Sequence, residues 1–163
     1  SNQWSELNVK QEAQRRQVDP ERVVFAGRVP MAEHLARQRL ADLFIDTFSF
    51  NAHTTAAEAL WAGLPVVTKT GKGFAARVAG SLLNSVGLPE LITKNEHDYE
   101  ILILELATNP SKLSKIRKKL AANLPKQALF DTEQYTKHIE DGYQQAYRNY
   151  FEGNAPKTIT VQM

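Results

Sequence analysis

Short apolar runs alternate with helix-forming segments from residue 22 to residue 93 of this chain. Four runs have the length and apolar character of buried strands: "RVVFAG" (22–27), "LFIDT" (43–47), "PVVTK" (65–69) and "ELIT" (90–93). Three segments with helical patterns separate them: 30–40, 54–63 and 74–87. Strands that are joined by helices run parallel in one sheet, and helices cover both of its faces. The alternation therefore predicts an α/β fold with a four-stranded parallel sheet.

The boundaries of these elements also carry sequence signals. Pro30 suits the first position of a helix, and Gly63 and Gly87 are expected to end the next two helices. The chain opens with a polar helix, predicted over residues 5–17, that has no strand ahead of it. We therefore expect a Rossmann-like domain that is truncated at its N-terminal strands.

The pattern after residue 93 is helical. Asn95 and Asp98 form the signature of a capped helix start, and the helix is predicted to run through Thr108. A second helix is predicted over residues 111–123. Its basic run "KIRKK" (115–119) is expected to face solvent. The buried face of the first of these helices is expected to contain Tyr99, Leu102, Ile103 and Leu106.

The last predicted helix begins near Asp131 and carries an apolar face along its whole length. That face recurs every three or four residues and contains Tyr135, Ile139, Tyr143, Tyr147 and Tyr150. We therefore expect the helix to pack against another surface, which is either the core of the domain or a partner domain. The tail from Gly153 has no periodicity and is predicted to be irregular.

Composition narrows the class of protein. The chain has 163 residues, 42% of them hydrophobic, and no apolar run that approaches the roughly 20 residues needed to cross a bilayer. A net charge of +2 argues against nucleic-acid binding by phosphate neutralisation. The lack of cysteine excludes disulfides and thiolate metal sites, and we expect a cytoplasmic protein with no membrane partner. We assign residues 1–2 to an expression scar, 3–152 to one domain and 153–163 to a tail.

Three hydrogen-bonding side chains, His53, Thr54 and Thr55, stand where a strand is predicted to end and a helix to begin. Ligands of open α/β sheets bind beyond the carboxyl ends of the strands. The first amides of a helix have no internal partner, and the helix dipole favours an anion there. We expect the unpaired amides of residues 53–56, with the imidazole N–H and the two hydroxyls, to form a pocket for a diphosphate.

A purely structural interpretation of the same residues stays open. Thr55 and Glu58 have the spacing of a capping box, in which the hydroxyl caps a helix and the carboxylate reaches back to the cap residue. Under that interpretation the two residues only start a helix. His53 favours the binding interpretation, because a capping box does not require a histidine.

His34 and Arg37 form a second candidate cluster. They lie three residues apart on a predicted helix and therefore share a face. An imidazole and a guanidinium at this edge of the sheet could stack on a nucleotide base or donate to it. The alternative is an ordinary solvated pair on a helix surface.

Other ligand motifs are excluded. "TGKG" (70–73) lacks both the early glycine and the Ser or Thr of a phosphate-binding P-loop, and no G-x-G-x-x-G follows a strand. His97 and His138 are expected on exposed helix faces, and no zinc spacing is present. The sequence predicts neither a metal nor a cofactor.

Several segments in the right order resemble one family. "VVFAGRVPMAEHLARQRLADLFIDT", "NAHTTAAEALWAGLPVVT", "SLLNSVGLPELIT" and "LFDTEQYT" are similar to the C-terminal catalytic half of protein O-linked N-acetylglucosamine transferases. That family includes SPINDLY-type proteins and bacterial relatives with TPR repeats. The resemblance implies a GT-B glycosyltransferase, in which two Rossmann-like domains face each other across the active site. Residues 3–152 would then be the C-terminal domain, which binds the nucleotide sugar.

The resemblance also implies roles for individual residues. His34 would pack beside the uracil with Arg37 in the same cluster, and Val29 would border the base. His53, Thr54 and Thr55 would contact the diphosphate and the sugar. Glu58 would bind the ribose hydroxyls, although relatives carry Asp there. Met31 stands where some relatives have lysine, so a contact at that position would involve only the backbone.

The implied reaction transfers a sugar from a nucleotide diphosphate to a Ser or Thr hydroxyl of an acceptor protein, with inversion and without a metal. UDP-GlcNAc is the expected donor. A GDP-fucose-using SPINDLY-type enzyme and a non-catalytic nucleotide-binding or scaffold module are the alternatives. No catalytic residue is assignable, because the phosphate-contacting lysine and the acceptor-side histidine of the family belong to upstream regions. We therefore expect this chain to be inactive without its upstream catalytic domain.

Overall fold

The computed structural model describes residues 2–161, which form two compact units, residues 2–34 and 35–161. In the first unit, α1 spans Gln3–Arg15 and begins where the Asn2 side chain accepts a hydrogen bond of 2.8 Å from the Ser5 amide. It ends before Gln17, whose φ of 61° is left-handed. A 3-10 turn follows at Pro20–Arg22. The predicted polar opening helix is therefore present.

The strand predicted at residues 22–27 does not form. Residues 23–30 have neither helical nor strand structure, and the Val24 side chain is 84% exposed. A strand exists only when a neighbour accepts and donates its backbone hydrogen bonds. No segment within residues 2–161 pairs with this run, so its apolar composition is not sufficient to make it a strand. Helix α2 (Met31–Gln38) begins one residue after Pro30.

The second unit contains a parallel sheet of three strands in the order β1-β2-β3. These are β1 (Phe44–Ile45), β2 (Val66–Lys69) and β3 (Ile92–Thr93). Phe44 pairs with Val66, and Thr68 pairs with Ile92. Three of the four predicted strands are thus present, each shorter than predicted, and the parallel α/β class is confirmed.

Two helices connect the strands, and glycine ends both as predicted. Helix α3 spans Thr54–Trp61 and α4 spans Val78–Ser85. Gly63 and Gly87 follow the caps with φ of 85° and 74°, a conformation that glycine adopts without strain. The next residues, Leu64 and Leu88, donate their amides back to Ala59 and Leu83, which completes the Schellman motif at each end. Helix α4 begins four residues later than predicted, because residues 74–77 form a turn.

The core of the second unit lies between the sheet and the helices. Its fully buried members include Leu60, Val66, Val67, Leu83, Leu106 and Leu120. Helix α5 (Glu96–Thr108) contributes its predicted face, and α6 (Pro110–Asn123) contributes Ile116 and Leu120. Asn95 caps α5 by accepting from the Asp98 amide at 2.8 Å, as its sequence signature predicts. Lys115, Lys118 and Lys119 on α6 are exposed, as expected for the basic run.

Helix α7 (Thr132–Phe151) has the predicted start, with the Asp131 side chain accepting from the Gln134 amide. Its apolar face is not in the core: Tyr135, Tyr143, Tyr147 and Tyr150 are 64–77% exposed. Of the two predicted alternatives, packing in the core is therefore wrong for this face, and packing against a partner domain stays a prediction. Residues 153–161 are irregular, as predicted, and residues 162–163 of the tail lie outside the described part of the chain. Within residues 2–161, none of the helices combines the length and the apolar character that crossing a membrane requires.

Candidate functional site

The loop that follows β1 is organised by a buried carboxylate, Asp46, which is only 4% exposed. Its Oδ1 accepts two backbone hydrogen bonds, from Thr47 at 2.8 Å and from Ala52 at 2.6 Å. Its Oδ2 accepts from the Thr68 hydroxyl on β2 at 2.6 Å. One side chain therefore closes both ends of the loop and joins the loop to the neighbouring strand.

The interior of this loop is also hydrogen-bonded. The Thr47 hydroxyl donates to the Phe50 carbonyl at 2.6 Å. The Asn51 amide nitrogen Nδ2 donates to the Thr47 carbonyl at 2.7 Å, and Asn51 is 1% exposed. These hydrogen bonds restrain the loop, although the Asn51 Oδ1 atom is buried without a hydrogen-bond partner among residues 2–161. The restrained loop presents His53, two residues after Asn51, in a defined position.

A second loop, residues 70–77, supports the first. The Ala75 carbonyl accepts from the Asn51 amide at 2.9 Å and lies 3.3 Å from His53 Nε2. Because a carbonyl only accepts, Nε2 carries the hydrogen in this contact. The neutral ring then has a lone pair at Nδ1. Only the imidazolium form could donate from Nδ1 to a ligand.

Two aromatic side chains pack against the His53 ring. The Phe50 ring stacks on it at 4.6 Å between centroids with an interplanar angle of 17°. The Phe74 ring stands edge-on at 6.2 Å and 87°. Phe50 and Phe74 are 63% and 77% exposed, so the imidazole sits between two aromatic rings that are themselves open to solvent.

Helix α3 begins immediately after this histidine. His53 occupies the N-cap position, and its carbonyl accepts from the Ala56 and Ala57 amides, both at 3.1 Å. The His53 side chain makes no capping hydrogen bond with α3. Because α3 starts at Thr54, Thr55 lies inside the first turn and Glu58 is too far along the helix for a capping box. The structural interpretation of Thr55 and Glu58 is therefore wrong.

A cleft of about 420 Å³ opens in front of the start of α3. It is lined by the end of β1, the loop that follows it, and His53, Thr54 and Thr55. Both threonines are exposed, and within residues 2–161 their hydroxyls and amides have no partner. The Ala56 amide is satisfied by His53, so the set of unpaired amides expected at 53–56 does not extend to residue 56. What the cleft offers to a ligand is a cluster of donors at a helix N-terminus.

The remaining predicted residues are distributed as follows. His34 and Arg37 are half-buried on α2, with His34 in the first compact unit and Arg37 in the second. Glu58 is half-buried in the second turn of α3. All three make further interactions within the protein. Their roles beside a base and a ribose stay predictions.

The sequence reasoning missed Asp46 and Tyr99 as parts of this region. The Tyr99 hydroxyl donates to the Asp46 backbone carbonyl. Burial, followed by the nearby Asp46 charge, raises the pKa of Tyr99 to about 12. An acidic residue that ends an apolar strand is a signal that could have identified Asp46, because a buried carboxylate requires donors around it.

Among residues 2–161, His, Asp and Glu side chains do not gather in a group of three or more that could hold an ion. The donors at the cleft are the amides and hydroxyls of Thr54 and Thr55, a set suited to an anion. The neutral His53 ring is not among them, because its N–H faces the Ala75 carbonyl.

Comparison with known proteins places this geometry in a family. The chain matches glycosyl transferase family 41 over residues 2–139. It is 35% identical over 155 residues to a UDP-N-acetylglucosamine–peptide N-acetylglucosaminyltransferase of Caenorhabditis elegans, covering 95% of this chain and 14% of the relative. It is 34% identical over 147 residues to SPINDLY of Petunia hybrida, which is named as a probable enzyme of the same activity; the match covers 90% of this chain and 16% of the relative.

A solved structure supports the same family assignment. A mutant of the Thermobaculum terrenum O-GlcNAc transferase superposes with a TM-score of 0.85 at 30% identity, covering 91% of this chain and 28% of that one. The chain thus spans a small part of the length of these relatives, and the predicted fold class and family resemblance are confirmed. This chain belongs to glycosyl transferase family 41.

Proposed function

We propose that this chain is the donor-binding region of an inverting glycosyltransferase that moves GlcNAc from UDP-GlcNAc to Ser or Thr hydroxyls of proteins. The proposal rests on the open start of α3, where the donors of Thr54 and Thr55 face a cleft beside His53. The relatives' names supply the sugar, the nucleotide and the peptide acceptor. The acceptor protein, an upstream catalytic domain and TPR repeats are proposed partners of the whole enzyme.

The chemistry of the cleft is suited to a leaving diphosphate. Negative charge grows on the departing nucleoside diphosphate as the bond to the sugar breaks. Preorganised donors aimed at such charge lower the barrier, each by about 3 kcal/mol in typical mutagenesis. In this account the amides and hydroxyls of Thr54 and Thr55, with the dipole of α3, supply that stabilisation without a metal.

The proposed contacts away from the diphosphate follow the family resemblance. His34 and Arg37 would lie on the base side, and Glu58 would hold the ribose hydroxyls. The phosphate-contacting lysine and the acceptor-side groups would come from upstream regions, so this chain by itself should bind the nucleotide and not turn it over. Detectable transfer of GlcNAc by the 163-residue chain would contradict that part of the proposal.

A thermal-shift titration with UDP, GDP and UMP tests the binding proposal. A ligand at 100 times its Kd stabilises by about 2.7 kcal/mol, which is several degrees for a domain of this size. UDP should shift the melting temperature more than UMP, because the cleft is proposed to hold the second phosphate. A larger shift with GDP would favour the GDP-fucose alternative, and no shift with either diphosphate would favour a non-catalytic scaffold.

Variants locate the site. His53→Ala and Thr54→Ala should lose most of the UDP shift while their melting temperatures without nucleotide stay close to that of the parent. His97→Ala is the matched control, because His97 is an exposed histidine on α5. If His53→Ala and Thr54→Ala bind UDP as tightly as the control, the site is elsewhere.

A further inference from the structure

The Asp46 carboxylate is built into the protein at an unusual junction. It lies at the end of β1 and is 4% exposed, and both of its oxygens accept hydrogen bonds. An isolated buried carboxylate is unfavourable, and it is tolerated when donors surround it. Here the donors come from the start of the loop, the end of the loop and the neighbouring strand. This arrangement ties three separate segments to one side chain.

The position of the last donor connects Asp46 to the cleft. The Ala52 amide, which donates to Oδ1 at 2.6 Å, immediately precedes His53 in the chain. The preceding amide, that of Asn51, donates to the Ala75 carbonyl, which also contacts His53 Nε2. Two consecutive amides therefore determine the direction in which the backbone enters α3. A change at Oδ1 would move the imidazole and the first amides of the helix together.

We infer that Asp46 is a positioning residue of the donor site, which acts on the diphosphate through Ala52 and His53 without touching it. The inference rests on the proposed function of the cleft. Thr68 supports Asp46 in this role, because its hydroxyl donates to Oδ2 and so keeps the carboxylate from rotating. The oxygens, rather than the charge, perform this role, since each is used as an acceptor.

Substitutions separate the role of the oxygens from that of the charge. Asp46→Asn keeps one oxygen for the two amides, and its Nδ2 can donate to Thr68, whose hydroxyl can act as either donor or acceptor. Asp46→Ala removes all three hydrogen bonds that the Asp46 side chain accepts. Thr68→Val removes only the Oδ2 contact, and Thr68→Ser restores a hydroxyl. Leu120→Ala, a fully buried position on α6, is the control for destabilisation that does not reach the loop.

The experiment measures UDP affinity of these variants below the melting range of each, together with hydrogen exchange of the Asn51 and Ala52 amides. A displaced binding group costs up to about a hundredfold, so we expect Asp46→Ala to weaken UDP binding at least tenfold. Asp46→Asn should stay within about threefold of the parent, because one side-chain oxygen still accepts from the two amides. Leu120→Ala should bind normally, because its side chain lies on α6 and not in the loop. The UDP affinity of Thr68→Val should lie between that of Asp46→Ala and that of the parent, and Thr68→Ser should bind UDP as the parent does.

The outcomes separate this inference from the proposed function. If the parent binds UDP and Asp46→Ala binds it equally well, the inference is overturned. If Asp46→Ala does not fold, the two Thr68 variants decide. UDP binding by Thr68→Val as tight as that of the parent would then overturn the inference, and weaker binding that Thr68→Ser restores would support it. If the parent binds no nucleotide, the proposed function fails, and the exchange rates decide the positioning role. Faster exchange at Asn51 and Ala52 in Asp46→Ala but not in Leu120→Ala would support it, and equal rates would overturn it.

Discussion

Gly71→Ala should disturb the candidate site from a distance, through the loop that supports His53. A Cβ at residue 71 would lie 2.6 Å from the Ala76 Cβ. The Gly71 amide also donates to the Ala76 carbonyl at 2.7 Å, so this part of the loop is already closely packed. Because an alanine Cβ is attached directly to the backbone, it cannot move aside by rotating. The backbone around residues 75–76 must shift instead.

The size of the effect follows from the distance. Ordinary contacts of this kind begin at 3.4 Å, so the two groups must separate by 3.4 − 2.6 = 0.8 Å. Overpacking of this order costs about 1–3 kcal/mol. At about 2–4 °C per kcal/mol for a chain of this length, the melting temperature should fall by roughly 2–12 °C. The same shift displaces the Ala75 carbonyl from Asn51 and His53, so UDP binding should weaken as well.

Gly73→Ala provides the control in the same loop. Apart from its chain neighbours, a Cβ there would have no heavy atom of residues 2–161 within 4 Å, and the residue has no left-handed φ. Its melting temperature should therefore stay within the range that about 0.5 kcal/mol allows. Thermal unfolding of the two variants and the parent, with and without UDP, completes the test. Equal melting temperatures and equal UDP shifts for both variants would refute the argument from packing.

Three further predictions concern the framework around the cleft. Tyr99 has a pKa raised from 10.0 to about 12, so its contribution to stability is complete below pH 10 and is lost as the pH rises to 12. The parent should therefore lose roughly 2 kcal/mol relative to Tyr99→Phe between pH 10 and pH 12 in urea titrations, and parallel curves would contradict the burial argument. Asn95→Ala removes the cap of α5 and should cost about 1 kcal/mol in the same assay, with no change in UDP affinity. Leu60→Ala empties a fully buried position on α3 and should cost about 2–5 kcal/mol; a loss below 1 kcal/mol would indicate that the core relaxes around it.

The elements that were predicted most closely are those whose signals are local. The Asn95 cap involves a contact three residues away, and α5 begins and ends where the sequence indicates. Gly63 and Gly87 end their helices through bonds within six residues. The run at 22–27 differs, because strand formation needs a partner that lies elsewhere in the chain. The apolar face of α7 differs for the same reason: periodicity predicts which side chains share a face but not what covers it.

The candidate site shows the same division. The position of His53, Thr54 and Thr55 after a strand was determined by sequence alone, because element order and residue type are written in the chain. Whether Thr55 would cap α3 was not, since the residues that lead into the helix contact Ala75, 22 residues away from His53. Asp46 likewise acquires its role from Thr68 and Tyr99, 22 and 53 residues away. Sequence specifies short-range hydrogen bonds and amphipathic periods. Only the folded chain brings distant donors to one buried carboxylate and leaves the start of α3 open.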